Sequence, residues 1–221
     1  MRISVVIPTL NESYCIARTI ECALKGKDVE VIVVDGGSAD GTQDIAKSCG
    51  AKVLSFAPRR AGQMNAGAAA ATGDALLFLH ADTLLPEGYD TQVRQALSKP
   101  GVVAGAFTLK IDSPLKGLRT IERVANWRSV RLGMPYGDQG IFVRADTFRK
   151  VGGFPDMPIM EDYEFMRRLG RLGRAEIVAE PVLTSGRRWE RIGVVRTTLI
   201  NQAIVIGYYI GLPPEKLARM Y

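Results

Sequence analysis

Two rhythms of apolar residues alternate over the first half of the chain, and they predict strands and helices in turn. Apolar runs at residues 3–7, 30–34, 52–56 and 75–79 read as strands, and the last is the most continuous. A run with no polar break reads as a strand buried on both faces. Between the first two, Ile16, Ile20 and Leu24 recur every four positions, in a helix opened by Asn11-Glu12-Ser13 and stopped by Gly26. Residues 43–48 predict a second helix closed by Gly50, and the alanine-rich residues 61–72 a third that can pack close to a sheet. Strand and helix in alternation imply an α/β fold, with a mostly parallel central sheet and helices on both faces.

The second half is less regular. Residues 102–111 predict a strand in which Ala104, Gly105 and Ala106 leave room for a substrate. Residues 115–132 predict a basic helix with Leu118, Ile121, Val124 and Ala125 as its apolar side, and 137–144 a loop running into a strand. Gly152-Gly153-Phe154-Pro155 breaks the chain before a helix over 160–169. Residues 192–212 are mostly apolar but carry Arg196, Asn201, Gln202 and three glycines. That is too polar for a membrane span and predicts an amphipathic helix, on the protein or on a bilayer surface.

The strand ends hold the candidate chemistry, because ligands of open α/β sheets gather at the carboxyl ends of the strands. The 75–79 run ends in His80-Ala81-Asp82, which includes the single histidine of the chain. A carboxylate beside an imidazole there suits a divalent ion or a phosphate-bearing ligand. The 30–34 run ends in Asp35-Gly36-Gly37-Ser38-Ala39-Asp40-Gly41-Thr42. This is not a dinucleotide fingerprint, which follows the first strand, nor a P-loop, since Gly41 stands where a lysine is needed. Its glycines let the backbone turn sharply while Asp35 faces a ligand, where it can accept hydrogen bonds from a base N–H or a ribose hydroxyl.

Composition narrows the partners. The chain has 221 residues, 47% hydrophobic and 24% charged, enough to bury a sizeable core in one domain, 1–221. Cys15, Cys22 and Cys49 have no metal-ligand spacing and are odd in number, which predicts reduced thiols and a cytoplasmic protein. The apolar run after Arg2 is too short for a signal peptide and stops at Pro8. The net charge is +6, with arginines grouped at 119–131, 167–174 and 187–196. Such charge suits a diphosphate or an anionic lipid surface. Aromatic residues do not interleave with the basic ones, which argues against nucleic acid. Arg187, Arg188, Arg191 and Arg196 beside the 192–212 helix suggest peripheral attachment to the inner face of a membrane. The oligomeric state is open, a homo-oligomer included.

Three ordered motifs carry a family resemblance: Val5-Val6-Ile7-Pro8-Thr9-Leu10-Asn11-Glu12, the Val33–Thr42 segment, and Leu79-His80-Ala81-Asp82. Together they resemble the family 2 glycosyltransferases over residues 3 to about 190. The resemblance implies the Rossmann-like nucleotide-diphospho-sugar transferase fold and a metal-dependent transfer that inverts the sugar's configuration. The donor would be a UDP- or GDP-sugar and the acceptor a hydroxyl, a lipid-borne one included. Residues 1–110 would form the nucleotide-binding half, 111–190 the acceptor and catalytic half, and 191–221 the C-terminal helix and tail.

Carried over by residue, the resemblance places Pro8, Thr9, Asn11 and Glu12 against the nucleotide, with Asp35 at its base or ribose. Arg60, Gly62 and Asn65 match a segment that closes over the nucleotide, and His80 and Ala81 lie beside it. Asp82 matches the last aspartate of the family's Asp-X-Asp motif and would ligate Mg²⁺ or Mn²⁺, with His80 in place of the first. Hard cations of this kind take oxygen ligands, several of them from phosphate. Glu161-Asp162 matches the acidic pair that holds the catalytic base, Asp162 first and Glu161 as its competitor. Ser185-Gly186-Arg187-Arg188-Trp189 resembles the Gln-X-X-Arg-Trp motif of processive members without its glutamine, which argues against a long-polymer synthase. Two rivals remain: a nucleotidyltransferase of the same fold, whose glycine-rich, lysine-containing loop is missing here, and a non-catalytic sugar-nucleotide-binding protein.

Overall fold

The computed structural model describes residues 1–221, and an eight-stranded sheet runs through it in the order β3-β2-β1-β4-β7-β6-β8-β5. The first half follows the predicted alternation. Strands β1 (Ile3–Thr9), β2 (Val29–Asp35), β3 (Lys52–Ser55) and β4 (Ala75–Phe78) are joined by helices α1 (Ile16–Ala23), α2 (Thr42–Ser48) and α3 (Arg60–Ala69). β1 pairs in parallel with β2 and β4, and β2 with β3, so Thr9, Asp35 and the end of β4 open on one edge.

The rest of the sheet is mixed. It contains β5 (Thr83–Leu84), β6 (Val102–Asp112), β7 (Ile141–Arg144) and β8 (Arg174–Ser185). α4 (Tyr89–Ser98), α5 (Leu118–Leu132), α6 (Ala145–Lys150) and α7 (Glu161–Leu169) pack around these strands, and α8 (Arg187–Ile192), α9 (Val194–Tyr209) and α10 (Pro214–Ala218) end the chain. β7 runs antiparallel to β4 with Ile141 opposite Phe78. That register sets the 3-10 turn Gly137–Gln139, just before β7, beside His80-Ala81-Asp82, just after β4. β6 is antiparallel to β7, and β8 runs parallel to β6 and antiparallel to β5.

Both faces of the sheet are covered, which is why the strands read as unbroken apolar runs. On one face Val5, Ile7 and Leu77 pack with Ile16 and Ile20 of α1 and Leu97 of α4. On the other, Val6, Leu76 and Phe78 pack with Met64 of α3 and with Phe148, Phe154 and Phe165. The Phe154 and Phe165 rings lie 4.2 Å apart, and Phe78 meets Phe154 edge-on at 4.7 Å. This aromatic group anchors α7, and with it the acidic pair at its start, to the central strand.

Several expectations need correction. α1 begins at Ile16, not Asn11. Asn11 adopts φ 54°, accepts from Ala39 N–H through its side chain, and donates its own N–H to Ser38. Those bonds hold residues 11–13 in a loop. Val124 is 57% exposed and so lies off the packed side of α5, which Leu118 and Ala125 form. The helix expected over 192–212 is α9, Val194–Tyr209, and Gly193 at φ 91° separates it from the short α8 before it. α9 is apolar on both sides. Ile204 packs with Met160, Tyr163 and Leu217, while Val195, Leu199, Ile206 and Ile210 face outward. No helix is long and apolar enough to cross a membrane. β8 and α4 carry no clean period in the sequence, since Glu176, Glu180 and Pro181 interrupt β8. All three cysteines are free thiols.

Candidate active site

The loop after β2 is built around one carboxylate. Asp35 is fully buried and accepts five hydrogen bonds: from Thr9 and Ser38 hydroxyls on Oδ1, and from Gly37 N–H, Ser38 N–H and Gln43 Nε2 on Oδ2. Burial alone would push this carboxyl up, but the bonds from Ser38, Gly37 and Gln43 outweigh it and hold it below the usual carboxylate range. Gly37 at φ 95° supplies the turn that aims two successive N–H groups at one oxygen. Both oxygens of Asp35 are thus engaged within the protein, and its observed contacts hold the loop. Asn65 likewise clamps Phe154, donating to its carbonyl at 2.8 Å and accepting from its N–H at 2.9 Å. A Cβ on Gly62 would collide with the Phe56 ring, so this glycine lets α3 approach β3.

A groove of about 350 Å³ opens where β1 and β4 end, lined by Pro8, Thr9, Glu12, Arg60, His80 and Asp82, with Ala81 in its wall. Gln63, which was not singled out from the sequence, donates from its buried amide to the Thr9 and Val34 carbonyls and fixes the floor. On the far side, Arg187 Nη2 donates to Glu12 Oε2 at 2.8 Å and to Asp82 Oδ2 at 2.9 Å. A cation from the start of α8 therefore sits between two carboxylates at the ends of β1 and β4. Arg187 thus faces the groove and not, as its place in the 187–196 arginine group suggests, a membrane surface. No three His, Cys, Asp or Glu side chains form a ready metal cluster. An oxygen-only pair that already accommodates positive charge suits a hard divalent ion, which would draw its other ligands from phosphate and water.

The acidic pair lies on the opposite side of His80. Asp162 Oδ2 accepts from Gly137 N–H at 2.6 Å and Oδ1 from Tyr163 N–H at 2.7 Å, so the β4–β7 register holds it beside β4. Glu161 is buried, with Arg60 Nε 3.6 Å from its Oε1. Burial first, then the charge of Asp162, raises its pKa above the usual carboxylate value. His80 has no partner for Nε2. Burial, helped by the Arg60 guanidinium, holds it well below its usual 6.5, so the ring is neutral at pH 7. Asp138, to which the sequence reading gave no role, is pushed up to about 6 by burial, with the nearby Asp162 charge adding to it. A second cavity, of about 320 Å³, runs from Arg60, His80 and the acidic pair to Asn201, Ile204 and Val205 in α9 and to Tyr221. The groove and this cavity share Arg60 and His80.

The likeness to known proteins agrees with this architecture. An uncharacterized glycosyltransferase of Mycobacterium tuberculosis is 30% identical over 195 residues, which cover 81% of this chain and 71% of that one. The chain is shorter than other curated relatives it matches, spanning 28% of a Nostoc glycosyltransferase and 47% of a TPR repeat-containing protein of Synechococcus elongatus. Among solved structures, S. aureus TarS in complex with UDP-GlcNAc superposes with a TM-score of 0.69 at 17% identity, covering 84% of this chain and 58% of that one. Glucosyl-3-phosphoglycerate synthase of M. tuberculosis, in complex with Mn²⁺, UDP and glucosyl-3-phosphoglycerate, does so at 0.60 and 21%, covering 83% and 70%. At those identities the structures establish a shared fold. The family model described as glycosyl transferase family 2 matches residues 4–151, and the chain belongs to that family.

Proposed function

We propose that this protein transfers a sugar from a nucleotide-diphospho-sugar to an acceptor hydroxyl with inversion at the anomeric carbon. One observation carries the reading: a groove ending at Asp82 and a cavity ending at Asp162 meet at Arg60 and His80. An inverting displacement needs that layout, with the leaving group on one side of the sugar and the base on the other. The nucleotide of a UDP- or GDP-sugar lies along Pro8, Thr9 and Glu12, in the half formed by residues 1–110. Family membership supports the donor class, as does the fold shared with a protein solved with UDP-GlcNAc.

Asp162 acts as the base. Its carboxylate takes the proton of the acceptor hydroxyl as that oxygen bonds to the anomeric carbon. The bond from the anomeric carbon to the diphosphate oxygen breaks with its electron pair, and a nucleoside diphosphate leaves. Arg60 stands between the two sites and can offset part of that charge. Asp82, with Glu12 beside it, would hold Mg²⁺ or Mn²⁺, which when bound neutralises the departing diphosphate. Arg187 must then leave Asp82.

The outward residues Val195, Leu199, Ile206 and Ile210 of α9, with Arg191 and Arg196 nearby in sequence, favour contact with an anionic bilayer. Flotation with anionic vesicles and not neutral ones is expected. For the reaction, nucleoside diphosphate release is measured from UDP- and GDP-hexoses with Mn²⁺. Release should require Asp82 and Asp162. Pyrophosphate formation from a nucleoside triphosphate and a sugar phosphate would instead identify a nucleotidyltransferase.

A further inference from the structure

We propose that the cavity between the Gly137–Gln139 turn and α9 is the acceptor site, and that it takes a neutral hydroxylated head carried on an apolar body. The inference rests on the reading of Asp162 as the base, since it makes that residue the inner end of the cavity. Its second support is independent. Five buried side-chain polar atoms in the whole protein lack a hydrogen-bond partner, and three of them, His80 Nε2, Asp138 Oδ1 and Asn201 Oδ1, belong to residues lining this one cavity. An unpartnered buried polar atom costs about 1–3 kcal/mol, and a protein rarely places several together unless a ligand satisfies them.

The chemistry of the lining selects the class. Asp138 and Asn201 present acceptor oxygens, so the ligand must bring donors, and hydroxyls are donors without charge. Three carboxylates, Asp138, Glu161 and Asp162, line the cavity against a single guanidinium, Arg60, which already lies 3.6 Å from Glu161. Arg128 also acts on Asp138 from behind the lining, so carboxylates outnumber guanidiniums three to two, and a phosphate or carboxylate on the acceptor would meet net negative charge there. The rest of the wall is largely apolar, through Pro158, Ile159, Ile204 and Val205. Binding sites of this kind orient a ligand with a few polar groups and hold it with apolar surface. The α9 helix supplies Asn201, Ile204 and Val205 to the cavity while exposing Leu199 and Ile206 on its outside. An apolar ligand body leaving the cavity along this helix would stay on an apolar surface.

The test uses the full chain and calorimetry with three probes: octyl glucoside below its micelle concentration, glucose, and octyl phosphate. Octyl glucoside should bind at least tenfold more tightly than either of the others. Asn201→Leu removes an acceptor and Val205→Trp fills the apolar end; each should weaken octyl glucoside binding about tenfold. Asn201→Leu serves as the reference if Val205→Trp melts early. Equal binding to both variants and the wild type would overturn the proposal, as would a preference for octyl phosphate or no binding of octyl glucoside. Asp162→Asn separates the proposal from the reading beneath it. That variant should bind octyl glucoside within threefold of wild type and lose transfer. If it retains transfer while the cavity variants lose binding, the base is misassigned and the cavity assignment stands.

Discussion

Two aspartates, Asp35 fully buried and Asp138 partly so, divide the molecule into a finished half and an expectant one. Asp35, the last residue of β2, accepts five hydrogen bonds and is held below the usual carboxylate range. Asp138, before β7, has an oxygen without a partner and is pushed up to about 6. Both are carboxylates at the same edge of the sheet. The difference lies in the donors around them. Pairing of β1 with β2 and the turn into α2 bring Thr9, Ser38 and Gln43 to Asp35, so this loop is held by the protein's own hydrogen bonds. In the turn before β7, Asp138 Oδ1 lines a cavity without a hydrogen-bond partner. On the proposed function, the preorganised loop belongs to the donor side and the open polar position to the acceptor side.

The largest expected effect sharpens the divide from the catalytic side. Asp162→Asn should lower transfer by a factor of about 10²–10⁴, the usual worth of a general base, with donor affinity within twofold. Titration calorimetry for donor and a nucleotide-release assay, with Glu161→Gln run in parallel, measure both; substantial transfer in Asp162→Asn with Glu161→Gln inactive would move the base to Glu161.

Next in size is the loss of the finished half's centre. Asp35→Ala strands several donors and should cost about 3 kcal/mol of stability. Denaturant unfolding reads it, and a loss below about 1 kcal/mol would mean that the loop does not depend on this carboxylate.

The two aspartates should then respond to pH in opposite directions. The folded state holds the Asp138 proton more tightly than the unfolded chain, where the carboxyl titrates near about 3.9. Stability from Asp138 is therefore complete below about pH 4, falls by about 2–3 kcal/mol as pH rises to about 6, and is flat above. Asp138→Asn should remove that decline. The depressed Asp35 works the other way: its contribution is present above about pH 4 and is lost as pH falls. Melting curves from pH 3 to 8 on both variants would break the comparison if they coincided.

The smallest effect concerns the boundary between the halves. Arg187 occupies Asp82 and Glu12, so Arg187→Gln should bind Mn²⁺ several-fold more tightly than wild type when no nucleotide is present. Electron paramagnetic resonance of free Mn²⁺ follows this without an activity assay. Unchanged affinity, with Asp82→Asn losing the ion, would leave the metal site in place and remove Arg187 from its control.

How much of this was legible follows from what each feature depends on. Apolar runs and four-residue periods sit in consecutive residues, so β1–β4, the helices between them and the buried character of the central strand could be read directly. The acidic pair at the start of α7 and the His80-Ala81-Asp82 segment could also be found, because motif spacing is a local property. Pairing across the sheet is not local. Only the antiparallel entry of β7 beside β4 brings Gly137 and Asp162 next to His80, and only the return of the chain through β8 delivers Arg187 to Asp82, 105 residues away in sequence. The same holds for Asn11, Gly62 and Asn65, whose observed contacts are with the protein itself, and for Val124 and the outward side of α9. A one-dimensional pattern specifies which residues must be buried. Which neighbours they meet there, and whether a carboxylate finds donors as Asp35 does or lacks them as Asp138 does, is decided when distant strands take their register.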